Sequence, residues 1–326
     1  MTNSMLEPEA VALARQQLAA AQQILVVAHI HPDGDAIGSL LGLGLALRNA
    51  GKSVQLVSED GIPGPHRQLP GSELIQQNFR GPVDLSIAVD CSDRERAGKT
   101  LQEIMVPDWN IDHHITNLNY ARLNLVDPAA VATAEVIAGL LPGLGLEMTT
   151  EIATALLTGI ITDTIGFQTS NLTSSALHLA ADLMDMGANL PLLYRRSLVQ
   201  RSYEAVRLWG AGLSQIERDH GLVWATLTLA DRQVIGYTGR DDADLIQVLF
   251  SIEDAHIAVV FVEQPNQRVK VSWRAHPGYD ISKIALQFGG GGHPSAAGAE
   301  VAGTLAEAYA VVIPATRILL EKDGNE

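Results

Sequence analysis

The chain contains a single cysteine, Cys91, among its 326 residues. One cysteine can form neither an internal disulfide nor a zinc site built from several thiolates, and disulfides are scarce in reducing compartments. The acidic start of the chain also lacks the basic residues that open a signal peptide. We therefore expect a cytoplasmic protein.

Long apolar runs are missing as well. The longest, residues 40–47, is far shorter than the roughly 20 residues that a membrane-spanning helix needs. Hydrophobic residues nevertheless make up 47% of the chain, which is ample for buried cores, and the length is typical of two domains. These features predict a soluble, globular protein with no membrane partner.

Basic residues are outnumbered: 22 Lys and Arg stand against 37 Asp and Glu, which gives a net charge of −15 at pH 7. Long nucleic acid is gripped through its phosphates by positive charge, so this balance excludes a protein of that class. A polyanionic substrate must then be short or meet a local basic patch. Residues 191–215 provide either such a patch or an ordinary solvated helix face, and their charged residues are Arg195, Arg196, Arg201, Glu204 and Arg207.

Strand-like and helix-like segments alternate in the first half of the chain. This alternation predicts an α/β fold with a mainly parallel sheet flanked by helices. The predicted strands are residues 24–28, 53–58, 84–90 and 108–112, and the predicted helices are residues 36–51, 133–141, 150–162 and 174–188.

A second, smaller α/β domain is predicted near the end of the chain. Its expected strands are residues 222–229, 257–262 and 268–274, and its expected helices are residues 241–250 and 304–321. We therefore divide the chain into a first domain, a helical connector and a second domain that faces the first across a cleft. Their bounds are 1–190, 191–215 and 216–326.

Carboxylates and imidazoles collect at the ends of the predicted strands. HIHPDGDAIGS (29–39) follows the first strand, and VDCSD (89–93) and DHH (112–114) follow two others. Open α/β sheets bind ligands at the carboxyl ends of their strands, so these residues should meet at one edge together with Asp163, which ends a predicted helix. Divalent cations prefer carboxylates, with imidazole added for Mn²⁺. The pattern predicts two neighbouring ions, the arrangement that serves phosphoryl transfer.

Each of these residues alone also has a structural interpretation. His29 fits a buried core histidine, Asp33 an Asx turn, Asp35 the N-cap of the following helix and Asp163 a C-terminal turn. Their joint occurrence at strand and helix ends favours the metal site.

The four motifs, with TDT at 162–164 as the last, resemble in order and approximate spacing those of the DHH phosphoesterase superfamily. The glycine-rich GGGGHPSAAG (289–298) resembles the signature of the associated DHHA1 domain. The resemblance extends over nearly the whole chain and is greatest to the nanoRNase members, which are bifunctional oligoribonucleases and phosphatases of 3′-phosphoadenosine-5′-phosphate (PAP). It implies a metal-binding catalytic DHH domain followed by a substrate-binding DHHA1 domain.

The resemblance also implies a cofactor of two Mn²⁺ ions per chain, with Mg²⁺ or Co²⁺ as alternatives. One ion would be held by His29, Asp33 and Asp90, and the other by Asp35, Asp90, His113 and Asp163. His114 and Asp90 would be the catalytic residues, with His114 facing the substrate phosphate. Asp112 would orient a histidine, because metal-bound imidazoles usually donate their other N–H to an acceptor.

The glycine run can bring backbone N–H groups close to a phosphate, although a flexible turn is the commoner explanation of four glycines taken alone. Arg274 and His293 resemble family positions that contact the phosphate and the terminal group of a nucleotide. The predicted substrate-binding residues are Arg274, Gly290, Gly291, Gly292 and His293. Arg96, in DRERAG, is either one more phosphate contact or a surface arginine.

The function that the resemblance implies is hydrolysis of short single-stranded RNA to mononucleotides, and of the 3′-phosphate of PAP, by a metal-activated hydroxide. Hydrolysis of linear or cyclic dinucleotides such as pGpG, pApA or c-di-AMP is the alternative, as is a nucleotide sensor without catalysis. The expected partners are short RNA and nucleotides but no long nucleic acid, and a homodimer is compatible with the resemblance.

Overall fold

Six parallel strands form the central sheet of the first half of the chain, in a computed structural model that describes residues 6–104 and 106–321. The strand order is β3-β2-β1-β4-β5-β6. The strands are β1 (Gln23–Ala28), β2 (Ser53–Val57), β3 (Ile75–Gln76), β4 (Leu85–Val89), β5 (Trp109–Asp112) and β6 (Leu123–Val126).

Helices cover this sheet on both faces. The central strands β1 and β4 are almost wholly buried, as their continuous apolar sequences predict for a parallel sheet. Val26 and Ile87 belong to the larger core, whereas Leu25 and Ala88 belong to a smaller core on the opposite face. The helices are α1 (Pro8–Ala20), α2 (Gly34–Asn49), α3 (Gly98–Ile104), α4 (Thr133–Leu144), α5 (Thr150–Asp163), α6 (Ser174–Asp185) and α7 (Leu190–Tyr194).

The strand order changes direction between β1 and β4, which are neighbours in the sheet. The chain leaves β1 toward β2 on one side, and β4 is followed by β5 on the other side. In doubly wound sheets the loops diverge at such a point and leave a crevice at the carboxyl ends of the strands, where ligands bind. His29 follows β1 and Asp90 follows β4, so both lie at this crevice.

The second half contains a mixed sheet in the order β11-β12-β10-β9-β8-β7. Strands β8 and β9 are parallel, and the other described pairs are antiparallel. The strands are β7 (Glu217–Asp219), β8 (Leu222–Leu227), β9 (Ile257–Gln264), β10 (Arg268–Ala275), β11 (Gly291–His293) and β12 (Ala296–Ala302), and the helices are α8 (Tyr203–Leu213), α9 (Leu229–Ile235), α10 (Leu245–Phe250), α11 (Ser282–Gln287) and α12 (Leu305–Glu321).

The α/β fold with a parallel sheet and flanking helices is confirmed, and the differences in the second half have local causes. The strand predicted over 222–229 ends at Leu227, because Thr228 and Asp231 form a capping box that starts α9. The helix predicted over 241–250 begins only at Leu245, since Ala243 and Asp244 have φ values of 51° and 65°.

The chain divides into two compact units, Met1–Gln200 and Arg201–Glu326. Within the predicted connector, α7 and a π-helical turn at Arg195–Val199 belong to the first unit, and α8 belongs to the second. The domain bounds inferred from the sequence stay a prediction. Across residues 6–104 and 106–321, no helix is both long and apolar enough to cross a bilayer.

Candidate metal centre

His29 follows β1 and is 2% exposed. Its Nδ1 lies 2.8 Å from the carbonyl oxygen of Ile30, so Nδ1 carries the proton that is donated there. Its Nε2 has no hydrogen-bond partner in the described chain, although it lies 3.4 Å from Oδ2 of Asp90 and 3.9 Å from Oδ2 of Asp33. A buried nitrogen without a hydrogen bond that faces two carboxylates is suited to ligate a cation.

Asp33 and Asp35 have different roles at the start of α2. The carboxylate of Asp33 accepts from the backbone N–H groups of Asp35 and Ala36, each at 3.0 Å, so Asp33 is the N-cap that the sequence pattern had assigned to Asp35. The carboxylate of Asp35 is buried and accepts from the backbone N–H groups of Thr133 at 2.6 Å and Ala134 at 3.0 Å.

Burial raises the pKa of Asp35 well above its usual value, and the like charges of Asp90, Asp163 and Asp33 raise it further. Several carboxylates therefore lie close together around the buried Asp35. Such a group is costly unless protons or cations neutralise it.

Asp90 lies at the centre of the cluster, directly after β4, and has a φ of 56°. Its Oδ2 faces His29, whereas its Oδ1 lies 4.0 Å from Nε2 of His113 and 3.7 Å from Nδ1 of His114. Burial acts to raise the pKa of Asp90, but His29, His113 and His114 outweigh it and hold that pKa far below its usual value. The carboxylate is therefore ionised, with its two oxygens turned toward two different sets of side chains.

The three residues of the DHH triplet make different contacts at the end of β5. Asp112 is fully buried, and its Oδ1 accepts from Nδ1 of His114 at 2.7 Å. His113 places its Nδ1 3.3 Å from the carbonyl oxygen of Ala130, and its Nε2 lies 3.4 Å from Oδ2 of Asp163. Burial acts to lower the pKa of His114, but the hydrogen bond and charge of Asp112 dominate and raise it to about 9.

Asp163 reaches the cluster because α5 packs closely against α2. A Cβ on Gly38 would lie 2.5 Å from the carbonyl oxygen of Ala155, and a Cβ on Gly159 would lie 2.6 Å from Oδ1 of Asp35. Only glycine permits this approach. Burial raises the pKa of Asp163 to about 6; His113 opposes the rise, and Asp90 and Asp33 add to it.

The described side chains form overlapping groups in which one ligand atom per residue lies within 4.8 Å of the others. Carboxylates and imidazoles at these distances fit divalent cations that accept both oxygen and nitrogen ligands. The groups are His29, Asp33 and Asp90; Asp35, His113 and Asp163; and Asp90, His113 and His114. The first two groups together contain all six metal ligands expected from the sequence.

The predicted substrate residues of the second unit share one row of its sheet. Arg274 on β10 pairs with Ala296 on β12, which pairs on its other side with His293 on β11. Residues directly opposite each other in a sheet project to the same face. Arg274 and His293 therefore lie on one face, two strands apart.

Two of the predicted phosphate-binding glycines have a structural reason to be glycine. A Cβ on Gly290 would lie 2.1 Å from the carbonyl oxygen of Gly298, and Gly292 has a φ of 142°. A Cβ on Gly291, by contrast, would have no neighbouring atom of the described chain within 4 Å, so the exposed backbone there stays open to approach. The glycine run thus shapes the β11–β12 edge and leaves part of it accessible.

Two site residues, Thr133 and Asn117, were not predicted from the sequence. The hydroxyl of Thr133 donates to Oδ1 of Asp90 at 2.8 Å, and Nδ2 of Asn117 donates to Oδ2 of Asp112 at 2.5 Å. A threonine at the first turn of an apolar helix was the available signal for Thr133. Asn117 offered only its proximity to the DHH triplet.

A parallel sheet with clustered carboxylates and histidines at its topological crevice is an α/β fold whose ligand-binding edge carries side chains able to hold metal ions. Residues 23–160 match the DHH family, N-terminal domain, and residues 233–313 match the DHHA1 domain. The chain is 36% identical over 309 residues to the bifunctional oligoribonuclease and PAP phosphatase NrnA of Thermus thermophilus. The alignment covers 92% of this chain and 91% of that protein. The chain belongs to the DHH family.

Solved structures share the fold. An exopolyphosphatase-related protein from Bacteroides fragilis superposes with a TM-score of 0.91 at 24% identity, covering 98% of each chain. RecJ from Thermus thermophilus, in complex with Mn²⁺, superposes with a TM-score of 0.55 at 15% identity, covering 98% of this chain and 55% of RecJ. At these sequence identities the superpositions show a shared fold only.

Proposed function

We propose that the chain is a phosphoester hydrolase that shortens oligoribonucleotides to mononucleotides and removes the 3′-phosphate of PAP. The observation that carries the proposal is the central position of Asp90, whose two oxygens face two sets of ligand side chains. The 36% identity to an oligoribonuclease and PAP phosphatase supports this choice of substrates over dinucleotides.

We assign the two ion sites to the residues named from the sequence. His29, Asp33 and Asp90, which form one observed group, would hold one ion. The other would be held by the group of Asp35, His113 and Asp163 together with Asp90, whose Oδ1 lies 4.0 Å from Nε2 of His113. Two Mn²⁺ ions would supply an activated water nucleophile and neutralise charge on the phosphate. Imidazole ligands favour Mn²⁺ over Mg²⁺.

His114 is the catalytic acid of the proposal. In the metal-free protein its pKa is raised to about 9, which keeps the imidazole protonated at neutral pH, and a protonated ring can stabilise a phosphate oxygen or protonate the leaving oxygen. Asp112 holds that ring in one orientation through the hydrogen bond to Nδ1.

In the second unit, Arg274 and His293 would bind a further phosphate of the substrate, with the backbone at Gly290, Gly291 and Gly292 beside them. Their common row in the sheet supports this role. The net charge of −15 restricts the enzyme to short strands, since a long polyanion would meet negative potential beyond the site. The single cysteine fits a reducing compartment such as the cytoplasm.

The test is Mn²⁺-dependent hydrolysis of a 5′-labelled RNA pentamer and of PAP by the wild type and by the Asp90→Ala and His114→Ala variants. We expect stepwise shortening of the pentamer and release of phosphate from PAP, both lost in the variants. Turnover of pApA or pGpG alone would replace these substrates with dinucleotides. Binding of PAP without turnover of any of the four would establish a nucleotide sensor.

A further inference from the structure

A pocket of about 950 Å³ lies in the first unit and is lined by residues close in sequence to the candidate metal ligands. Its walls come from the loops that carry the metal ligands: Ile30 adjoins His29, and Ser92 lies two residues after Asp90. Thr116, from the loop that follows the DHH triplet, completes the connection. The volume lies within the range of about 300–1,000 Å³ that small-molecule sites occupy. Binding of metal ions does not by itself explain why the fold leaves this pocket open.

Two arginines in the pocket wall have no carboxylate partner. Within residues 6–104 and 106–321, neither Arg94 nor Arg96 forms an ion pair, and the buried Nε of Arg94 has no hydrogen-bond partner. Nη1 of Arg96 lies 3.5 Å from Oγ of Ser92, and Nη2 of Arg94 donates to the carbonyl oxygen of Gln102 at 3.2 Å. Asp93 and Glu95 line the same pocket, but neither forms an ion pair with Arg94 or Arg96 among the described residues. The guanidinium groups are therefore not neutralised by a carboxylate, which points to an anionic ligand.

The backbone holds Arg96 in place next to the metal centre. Its N–H donates to Oδ1 of Asp93 at 2.9 Å, and its carbonyl oxygen accepts from the N–H of Ile30 at 2.7 Å. Because the Asp93 carboxylate accepts this hydrogen bond within its own turn, it competes less with an anionic ligand for the Arg96 guanidinium. The positive charge of Arg96 is also felt at His114, where it opposes the rise in pKa that Asp112 causes against the effect of burial.

An apolar surface adjoins these arginines. Leu118 lines the pocket and is 71% exposed, and the half-buried Ile30 and Tyr120 lie in the same wall. The N–H of Leu118 donates to the carbonyl oxygen of Ser92 at 2.9 Å, so the exposed leucine is held by the loop rather than free to fold away. Apolar side chains beside cations suit a ligand that has a flat ring and a phosphate.

We propose that this pocket binds one nucleotide unit of the substrate next to the scissile phosphate, with Arg96 on its phosphate and Leu118 against its base. The proposal rests on the proposed function and assigns nucleotide recognition to the DHH domain itself. The loops that hold the metal ligands would thereby bind both the reacting phosphate and the neighbouring nucleoside.

The experiment compares kcat/KM with Mn²⁺ for pApA, for two pApA analogues that each lack one base, and for methyl 4-nitrophenyl phosphate, a diester without a nucleoside. The proteins are the wild type, Arg96→Ala, Leu118→Ala and the control Arg80→Ala. Arg80 is exposed and precedes β4, so its removal takes the same charge from the opposite end of the strands. Thermal unfolding of each variant verifies the fold.

We expect Arg96→Ala to lower kcat/KM for pApA about tenfold more than it lowers kcat/KM for the small diester, since a charged hydrogen bond is lost. Leu118→Ala should remove the difference between pApA and one of the two analogues, whereas Arg80→Ala should match the wild type. Equal losses on pApA and the small diester, or no loss on either, overturn the pocket while the proposed function stands. A wild type that cleaves the small diester but not pApA overturns the pocket, and the proposed function falls with it only if the RNA pentamer and PAP are not cleaved either.

Discussion

Nδ1 of His114 lies 2.7 Å from Oδ1 of Asp112, a carboxylate that is completely buried. The same carboxylate accepts from the backbone N–H of His113 at 2.8 Å and from Asn117. Since these donors fix the carboxylate, its hydrogen bond fixes the imidazole ring. Within the DHH triplet, the buried carboxylate of Asp112 therefore orients the ring of His114.

The Asp112→Asn substitution should lower the pKa of His114 in the metal-free protein from about 9 toward its ordinary value. A histidine whose pKa is raised on folding stabilises the fold fully below its unfolded pKa and loses that contribution as pH rises through the folded value. Metal-free wild type should therefore lose stability between pH 6.5 and 9, and Asp112→Asn should lose less. NMR titration of His114 and unfolding curves at several pH values measure both effects; an unchanged His114 titration would contradict them.

The Thr133→Val substitution removes the hydroxyl that donates to Asp90. The side chain keeps its shape, so the loss reports the hydrogen bond, at a cost of about 1–3 kcal/mol in the free energy of unfolding. Affinity for Mn²⁺ should fall about 10–100-fold, because the hydroxyl orients a ligand carboxylate. Denaturant unfolding and calorimetric titration test this, with Thr133→Ser as the matched control that retains the donor.

The Gly159→Ala substitution should damage the metal centre through packing. Its Cβ would lie 2.6 Å from both Oδ1 of Asp35 and the Cβ of Ala134, so α5 must shift at a cost of about 1–3 kcal/mol. The Gly210→Ala variant is the matched control, because no atom lies within 4 Å of its Cβ in α8 and a helical alanine should stabilise by about 0.5–1 kcal/mol. Equal changes in unfolding midpoint for the two variants would refute the close approach of α2 and α5.

Proton binding at Asp163 should compete with metal binding. Its pKa of about 6 in the metal-free protein means that the carboxyl is mostly protonated at pH 5 and ionised at pH 7.5, where it can ligate. The rise in unfolding temperature caused by Mn²⁺ should therefore be larger at pH 7.5 than at pH 5. Asp163→Asn should weaken that rise at both pH values, whereas the exposed Asp185→Asn should behave as wild type.

The strand-end residues were predictable because periodicity identifies buried parallel strands and their carboxyl ends must share an edge. His29, Asp90 and His113 therefore meet where the sequence predicts. The assignment of the α2 N-cap to Asp35 was wrong, since the cap is Asp33. Both residues are chemically able to cap the helix, and only the backbone at the start of the helix decides between them.

Other features depend on contacts between distant parts of the chain. Thr133 meets Asp90 across 43 positions, and Gly159 meets Asp35 through the packing of two helices, so the sequence around each residue does not identify its partner. Strand β12 is rich in alanine and glycine, which have low strand propensity, and it forms through its pairing with β10. The pocket beside the DHH loop arises in the same way, from loops that only the folded sheet brings together.

The most direct test of the central claim is a crystal structure of the Mn²⁺-soaked protein with anomalous scattering recorded at the manganese edge. We predict two peaks that share the carboxylate of Asp90, one bounded by His29 and Asp33 and the other by Asp35, His113 and Asp163. A single peak, or peaks away from Asp90, would contradict the two-ion centre from which the proposed hydrolysis follows.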